Sequence, residues 1–138
     1  VSKPILCVDF DGVIHSYTSG WLGAAVILDP PVPGAFKWLY SALYHFNVNI
    51  YSSRSKELEG IKAMREWLER HVRACTDLTT PQADMLLRDI VFTHEKPAAF
   101  LTVDDRAICF DGDWKALDSK TLLKFKPWYQ RTFDAPVI

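Results

Sequence analysis

Short apolar runs along the chain alternate with longer stretches in which apolar residues recur every three or four positions. The compact runs are Ile5-Leu6-Cys7-Val8, Val48 to Tyr51, Ile90-Val91-Phe92 and Phe100-Leu101-Thr102-Val103, each of a length suited to a strand. Between the first two, Leu39, Ala42, Leu43 and Phe46 keep helical spacing over residues 35–46. After the second, Leu58, Ile61, Met64, Leu68 and Val72 form the stripe of a longer helix, with Ser55 suited to cap it and Glu57 and Glu59 in its first turn. A shorter helix is predicted from Pro81 to Arg88, and a last short strand at Ala107 to Phe110. Residues 13–34 interrupt the pattern with Gly20, Gly23, Pro30, Pro31, Pro33 and Gly34, too many breakers for a long helix. Strands alternating with amphipathic helices predict an α/β fold with a mostly parallel sheet.

The composition keeps that picture and narrows it. A chain of 138 residues, 49% hydrophobic and 13% aromatic, suits one domain, residues 1–138, with a core of its own and no disorder. A net charge of -1 is silent about nucleic acid or a membrane surface. Cys7, Cys75 and Cys109 are odd in number and lack metal-ligand spacing, so reduced core thiols are expected. No apolar stretch approaches the roughly 20 residues of a membrane span and no signal-peptide pattern is present. A cytoplasmic protein without a membrane partner is the expectation. Oligomeric state is left open.

Chemistry enters where the strands stop. In an extended segment, residues i and i+2 face the same side, so Asp9 and Asp11 would share a pocket while Phe10 turns inward and Gly12 lets the chain bend away. Two like charges so close need a cation or a shared proton. An ordinary Asp-rich turn is the competing reading of that motif alone. The second strand, however, ends in Ser52-Ser53-Arg54 and the fourth in Asp104-Asp105-Arg106. Carboxyl ends of parallel strands converge on one crevice, so the three sets can meet.

With these motifs the chain resembles the haloacid dehalogenase superfamily of phosphohydrolases, and the likeness runs over nearly its full length. The resemblance implies a Rossmann-like, doubly wound sheet with helices on both faces, no separate cap domain, and residues 13–32 as a short loop or flap over an open site. It implies Asp9 as a nucleophile that becomes an aspartyl-phosphate and Asp11 as the general acid and base. Ser52 would hold the transferring phosphoryl group. Asp104 and Asp105, with Asp9 and the main-chain carbonyl of Asp11, would hold Mg²⁺. Lys96, in His94-Glu95-Lys96-Pro97, matches the lysine that bridges nucleophile and phosphate, although it stands only eight residues before Asp104. Lys56 is the alternative. Gly12, Ser53, Arg54 and Arg106 are candidate substrate contacts, the two arginines being suited either to grip a phosphate or to pair with the local carboxylates. Ser-x-Arg at 52–54 and Asp-Asp-Arg at 104–106 also resemble the phosphatase module of polynucleotide kinase-phosphatases.

Elementary chemistry supports those roles independently. Phosphate-monoester hydrolysis is so slow unaided that enzymes speed it by up to about 10²¹-fold, which demands charge neutralisation and positioning. A cation that prefers oxygen ligands screens the repulsion between carboxylate and phosphate. A second carboxyl, Asp11, supplies the proton a leaving alkoxide needs and a halide does not, which favours phosphatase over dehalogenase. The expected substrate is a nucleotide, a nucleic-acid end or a small phosphorylated metabolite. A module that binds a phospho-ligand or Mg²⁺ without turnover is the alternative. His15, Tyr17 and Trp21 could stack on a substrate or pack the loop down, whereas His45, His71 and Trp128 suit surface or packing roles.

Overall fold

A computed structural model describes residues 2–131. Its centre is a sheet of four parallel strands, β1 (Ile5–Val8), β2 (Asn47–Ile50), β3 (Val91–Phe92) and β4 (Leu101–Val103), in the order β3-β2-β1-β4. Helix α1 (Ala35–Ala42) joins β1 to β2, and α2 (Leu58–Ala74) with α3 (Thr80–Asp89) joins β2 to β3. The chain steps outward from β1 to β3 and then returns to add β4 on the other side of β1. That reversal sets a crevice between the carboxyl ends of β1 and β4, the usual position of a ligand in such a Rossmann-like sheet.

Crossovers of one hand running in one direction lay their helices on one face. Leu6, Val8, Val48, Ile50 and Phe92 accordingly share one buried cluster with Phe36 and Leu39 of α1, Met64, Trp67, Leu68 and Val72 of α2, and Ala83 and Leu86 of α3. Trp67 is its keystone, set edge-on to Phe10 at 5.1 Å and near Phe36 at 6.0 Å; such aromatic pairs add about 0.5–1.5 kcal/mol beyond their burial. The return from β3 to β4, residues 93–100, contains no helix; on the opposite face Cys7 and Asn49 of the central strands are buried, while Val91 and Thr102 of the edge strands are exposed.

Several local expectations change. Leu58 is exposed and does not join the α2 stripe, whose buried members are Gly60, Met64, Trp67, Leu68 and Val72. Ser55 does not cap α2. It closes a capping box with Ser52 around a 3₁₀ turn at Ser53–Lys56, and α2 begins only after it. Gly60 allows that turn to lie directly against α2, because a Cβ there would collide with the Arg54 carbonyl. α3 starts one residue before the expected Pro81 and is capped by Thr79, paired reciprocally with Gln82. Ala107 to Phe110 is exposed and forms no strand, and Cys109 is consequently not a core thiol. Beyond it lie 3₁₀ turns at Trp114–Leu117 and Trp128–Gln130 and the short α4 (Ser119–Leu123). No described helix is long and apolar enough to cross a membrane.

Candidate active site

Register levels the site residues. Val8 pairs with Ile50 on one side and Val103 on the other, so the next residues, Asp9, Tyr51 and Asp104, leave the sheet together. The Asp9 N–H donates to the Val103 carbonyl at 2.9 Å, which continues the ladder one step and fixes where the first carboxylate stands. Two adjoining clefts of about 120 and 260 Å³ open there, sharing Asp9, Ser52, Ser53, Asp105 and Arg106. Asp11, Tyr17, Trp21 and Tyr129 complete the smaller cleft; Tyr51 and Asp104 complete the larger.

Asp9, Asp104 and Asp105 each present a carboxylate oxygen within 4.8 Å of the other two, an arrangement that could hold a metal ion. Burial, the adjoining Asp105 carboxyl and the Asp104 charge push Asp9 up to about 8. Such crowding is what a divalent cation would relieve, and three carboxylates suit a hard, oxygen-seeking ion. Asp9 is also fixed through an oxygen that accepts from the Phe10 N–H at 2.8 Å, and Asp104 accepts from the Arg106 N–H at 2.8 Å. Gly12, at φ 79°, passes so close to Asp105 that a Cβ would strike its carboxylate and lie 2.6 Å from Tyr129. Only glycine meets both demands.

Asp11 has different company. Its carboxylate stands apart from the acidic triad and accepts from Arg54 Nε at 3.1 and 2.9 Å through its two oxygens, and His15 Nδ1 lies 2.9 Å from Oδ1. Arg54 is fully buried, and its Nη1 donates to the carbonyls of Gly23, Ala24 and Val26 at 2.8, 2.9 and 3.1 Å. The indole of Trp21 lies 4.9 Å from the guanidinium carbon. Of the two uses open to Arg54, the structure has the ion pair with Asp11, which also straps the 13–34 loop across the site. Further ties hold that loop: Ser16 N–H to Pro30 O, Val32 N–H to Ile14 O, and Trp67 Nε1–H to Asp29 O at 3.0 Å.

The remaining candidates separate clearly. Ser52 accepts from the Arg54 N–H, which leaves its hydroxyl proton to donate into the cleft. Ser53 and Arg106 line both openings. Tyr17 and Trp21 reach the smaller cleft, but His15 is 1% exposed and cannot stack on a substrate. Lys96 lines neither cleft; it is exposed in a separate groove with Phe92, Thr93 and Pro97. Lys56 is exposed and lines neither. Among the described residues, Arg106 is thus the cation that lines the clefts. Tyr129 is a site residue that spacing did not suggest, because it arrives from far along the chain. Burial raises the hydroxyls of Tyr17 and Tyr129, with Asp11 adding to the first and Asp105 to the second, so both remain protonated donors at neutral pH. A larger cleft of about 320 Å³ between α1 and β4 is lined by apolar residues such as Val8, Ile14, Trp38 and Val103, and it contains no titratable group.

No known family model, curated protein or solved structure matches the chain. The functional reading therefore stands on the residues at the strand ends.

Proposed function

We propose that the protein is a Mg²⁺-dependent phosphomonoester hydrolase working through an aspartyl-phosphate on Asp9. One observation carries this reading: two carboxylates from a single strand end have unlike surroundings, Asp9 within an acidic triad and Asp11 against Arg54 and His15. Carboxyl groups pushed into different environments at one site take different catalytic roles.

Asp9, Asp104 and Asp105 would hold the ion, which supplies charge neutralisation between carboxylate and phosphate. Asp9 attacks phosphorus, the ester P–O bond breaks, and Asp11 gives its proton to the departing oxygen. Asp11 then takes a proton from the water that cleaves the acyl phosphate, releasing inorganic phosphate and restoring Asp9. The Ser52 hydroxyl, the Ser53 segment and Arg106 donate to the phosphoryl oxygens during both steps. The two clefts hold only about 120 and 260 Å³, so the alcohol half of the ester remains partly in water, compatible with a nucleotide, a nucleic-acid end or a small metabolite.

Hydrolysis of p-nitrophenyl phosphate, measured with and without Mg²⁺, tests the reading. Turnover should require the ion and fall by about 10⁴-fold or more in Asp9→Asn. A wild type no more active than Asp9→Asn across several divalent metals and phosphate esters overturns it.

A further inference from the structure

His15 is buried, conspicuously polar for its surroundings, and unused in the scheme above. It packs 5.6 Å from the Phe10 ring, 5.5 Å from Trp67 and 6.0 Å from Tyr17. An imidazole placed so deep must satisfy both nitrogens, and it does. The Asp29 backbone N–H donates to Nε2 at 3.1 Å, so Nε2 bears the lone pair and the neutral ring carries its proton on Nδ1. That Nδ1–H points at Asp11 Oδ1, 2.9 Å away.

The source of the fixed tautomer is itself fixed. The Asp29 carbonyl accepts from the buried Trp67 indole at 3.0 Å, and the Asp29 carboxylate accepts from the Ser19 N–H at 2.8 Å and the Ser19 hydroxyl at 2.6 Å. A backbone amide cannot rotate to suit a different tautomer. The two oxygens of Asp11 therefore differ. Oδ1 accepts from both His15 and Arg54, whereas Oδ2 accepts from Arg54 alone and keeps a lone-pair site.

From this geometry we infer that His15 is the positioning residue for Asp11, saturating Oδ1 so that Oδ2 is the oxygen that carries the proton to the leaving group. The inference rests on the phosphatase reading, since it assigns a role within that reaction. Nothing is transferred to or from His15; the proton moves from Asp11 Oδ2 to the ester oxygen as the P–O bond breaks. Asp29 contributes by its main chain, so its side chain matters only through the loop.

A general acid matters in proportion to how poor the leaving group is, which separates this role from mere folding support. The experiment compares kcat/KM, which reports the steps up to departure of the leaving group and not the shared hydrolysis of the aspartyl-phosphate, on 2,4-dinitrophenyl phosphate, whose phenolate leaves unaided, and on an alkyl phosphate such as glycerol phosphate. His15→Phe keeps an aromatic ring and removes the donor. It should lower kcat/KM on the alkyl ester by about 10²-fold and on the dinitrophenyl ester by only a few-fold. His15→Asn places an amide N–H near the position of Nδ1 and should recover most of the alkyl-ester rate, while His15→Gln, whose N–H reaches the position of Nε2, should not. Equal losses on both esters overturn the inference and leave the phosphatase reading intact. If His15→Phe does not fold by circular dichroism, the Asn and Gln pair decides: the same alkyl-to-aryl rate ratio in both overturns the inference. A wild type that hydrolyses neither ester overturns the phosphatase reading, and the inference with it.

Discussion

On one side of the cleft, Arg54 is fully buried and ties Asp11 to three carbonyls of the 13–34 loop; on the other, Asp104, Arg106 and most residues through Arg131 are exposed. The first wall is knit from hydrogen bonds between segments distant in sequence. The second is tied by few contacts, chiefly the Trp128 indole to the Gly12 carbonyl at 2.7 Å. The acid–base half of the site is thus preorganised by the protein, while the carboxylate triad is left crowded, with main-chain donors from Phe10 and Arg106 and no buried ion pair among the described residues. A site built this way would be completed on its second side by what it binds.

The sharpest contrast is between the two arginines. Arg54→Met leaves the Asp11 carboxylate and three loop carbonyls without their donor, and breaking a buried ion pair from one side costs about 3–5 kcal/mol. Arg106→Met removes an exposed cation and should stay within about 0.5 kcal/mol of wild type. Urea unfolding of both variants measures the difference. Equal losses would break the comparison, because the two walls would then be equally secured.

Gly12 stands at the seam. In Gly12→Ala the left-handed backbone costs roughly 1–2 kcal/mol, and the new methyl must displace Asp105 and Tyr129. Stability should fall by about that amount. Divalent-ion binding, followed by isothermal calorimetry, should fall much further than stability, since the displaced group belongs to the triad. Unchanged ion affinity would separate Asp105 from the metal site.

The triad also predicts a pH response centred on Asp9. Asp9 titrates at about 8 in the folded, metal-free protein, against about 4 in an unfolded chain. Between those values the folded state holds a proton that the unfolded state has released. The contribution of Asp9 to stability is therefore complete below about pH 4 and is lost as pH rises through about 8. Melting curves of metal-free wild type, compared with Asp9→Asn, should show wild type losing stability relative to the variant over that window. A cation must displace this proton, so Mg²⁺ affinity should climb by up to about tenfold per pH unit and level off above about 8. A flat affinity across the window would remove Asp9 from the ion's ligands.

The same contrast explains what the sequence revealed. Strand ends were legible because an apolar run that stops at Asp or Ser is a local signal, and parallel pairing then brings Asp9, Tyr51 and Asp104 level, with Ser52 one residue beyond. Lys96 was not. Residues 93–100 must travel from the carboxyl end of β3 back to the amino end of β4, and Lys96 departs from the cleft with them. The Ala107–Phe110 run has strand composition but takes no place in the sheet, and Phe110 packs locally on Trp114 at 4.4 Å. Whether His15 stacks on a substrate or packs the loop down was not legible, because its partners, Asp11, Asp29 and Trp67, meet it only after the loop folds back on itself. Nonlocal hydrogen bonding leaves no periodicity to read.

The smallest expected effect compares two indole donors, one for each wall. Trp67→Phe keeps an aromatic ring in the core but strands the buried Asp29 carbonyl and leaves a void where the larger ring was; about 2 kcal/mol is expected. Trp128 is 42% exposed, so in Trp128→Phe water can replace the lost donor at the Gly12 carbonyl, and the change should be about 0.5–1 kcal/mol. Its signature should instead be local, as faster amide exchange around residues 127–131 with the exchange of β1 and α2 unaltered. If Trp128→Phe instead accelerates exchange throughout the 13–34 loop, the two walls are mechanically coupled through Gly12, and the division between a preorganised half and a ligand-completed half fails.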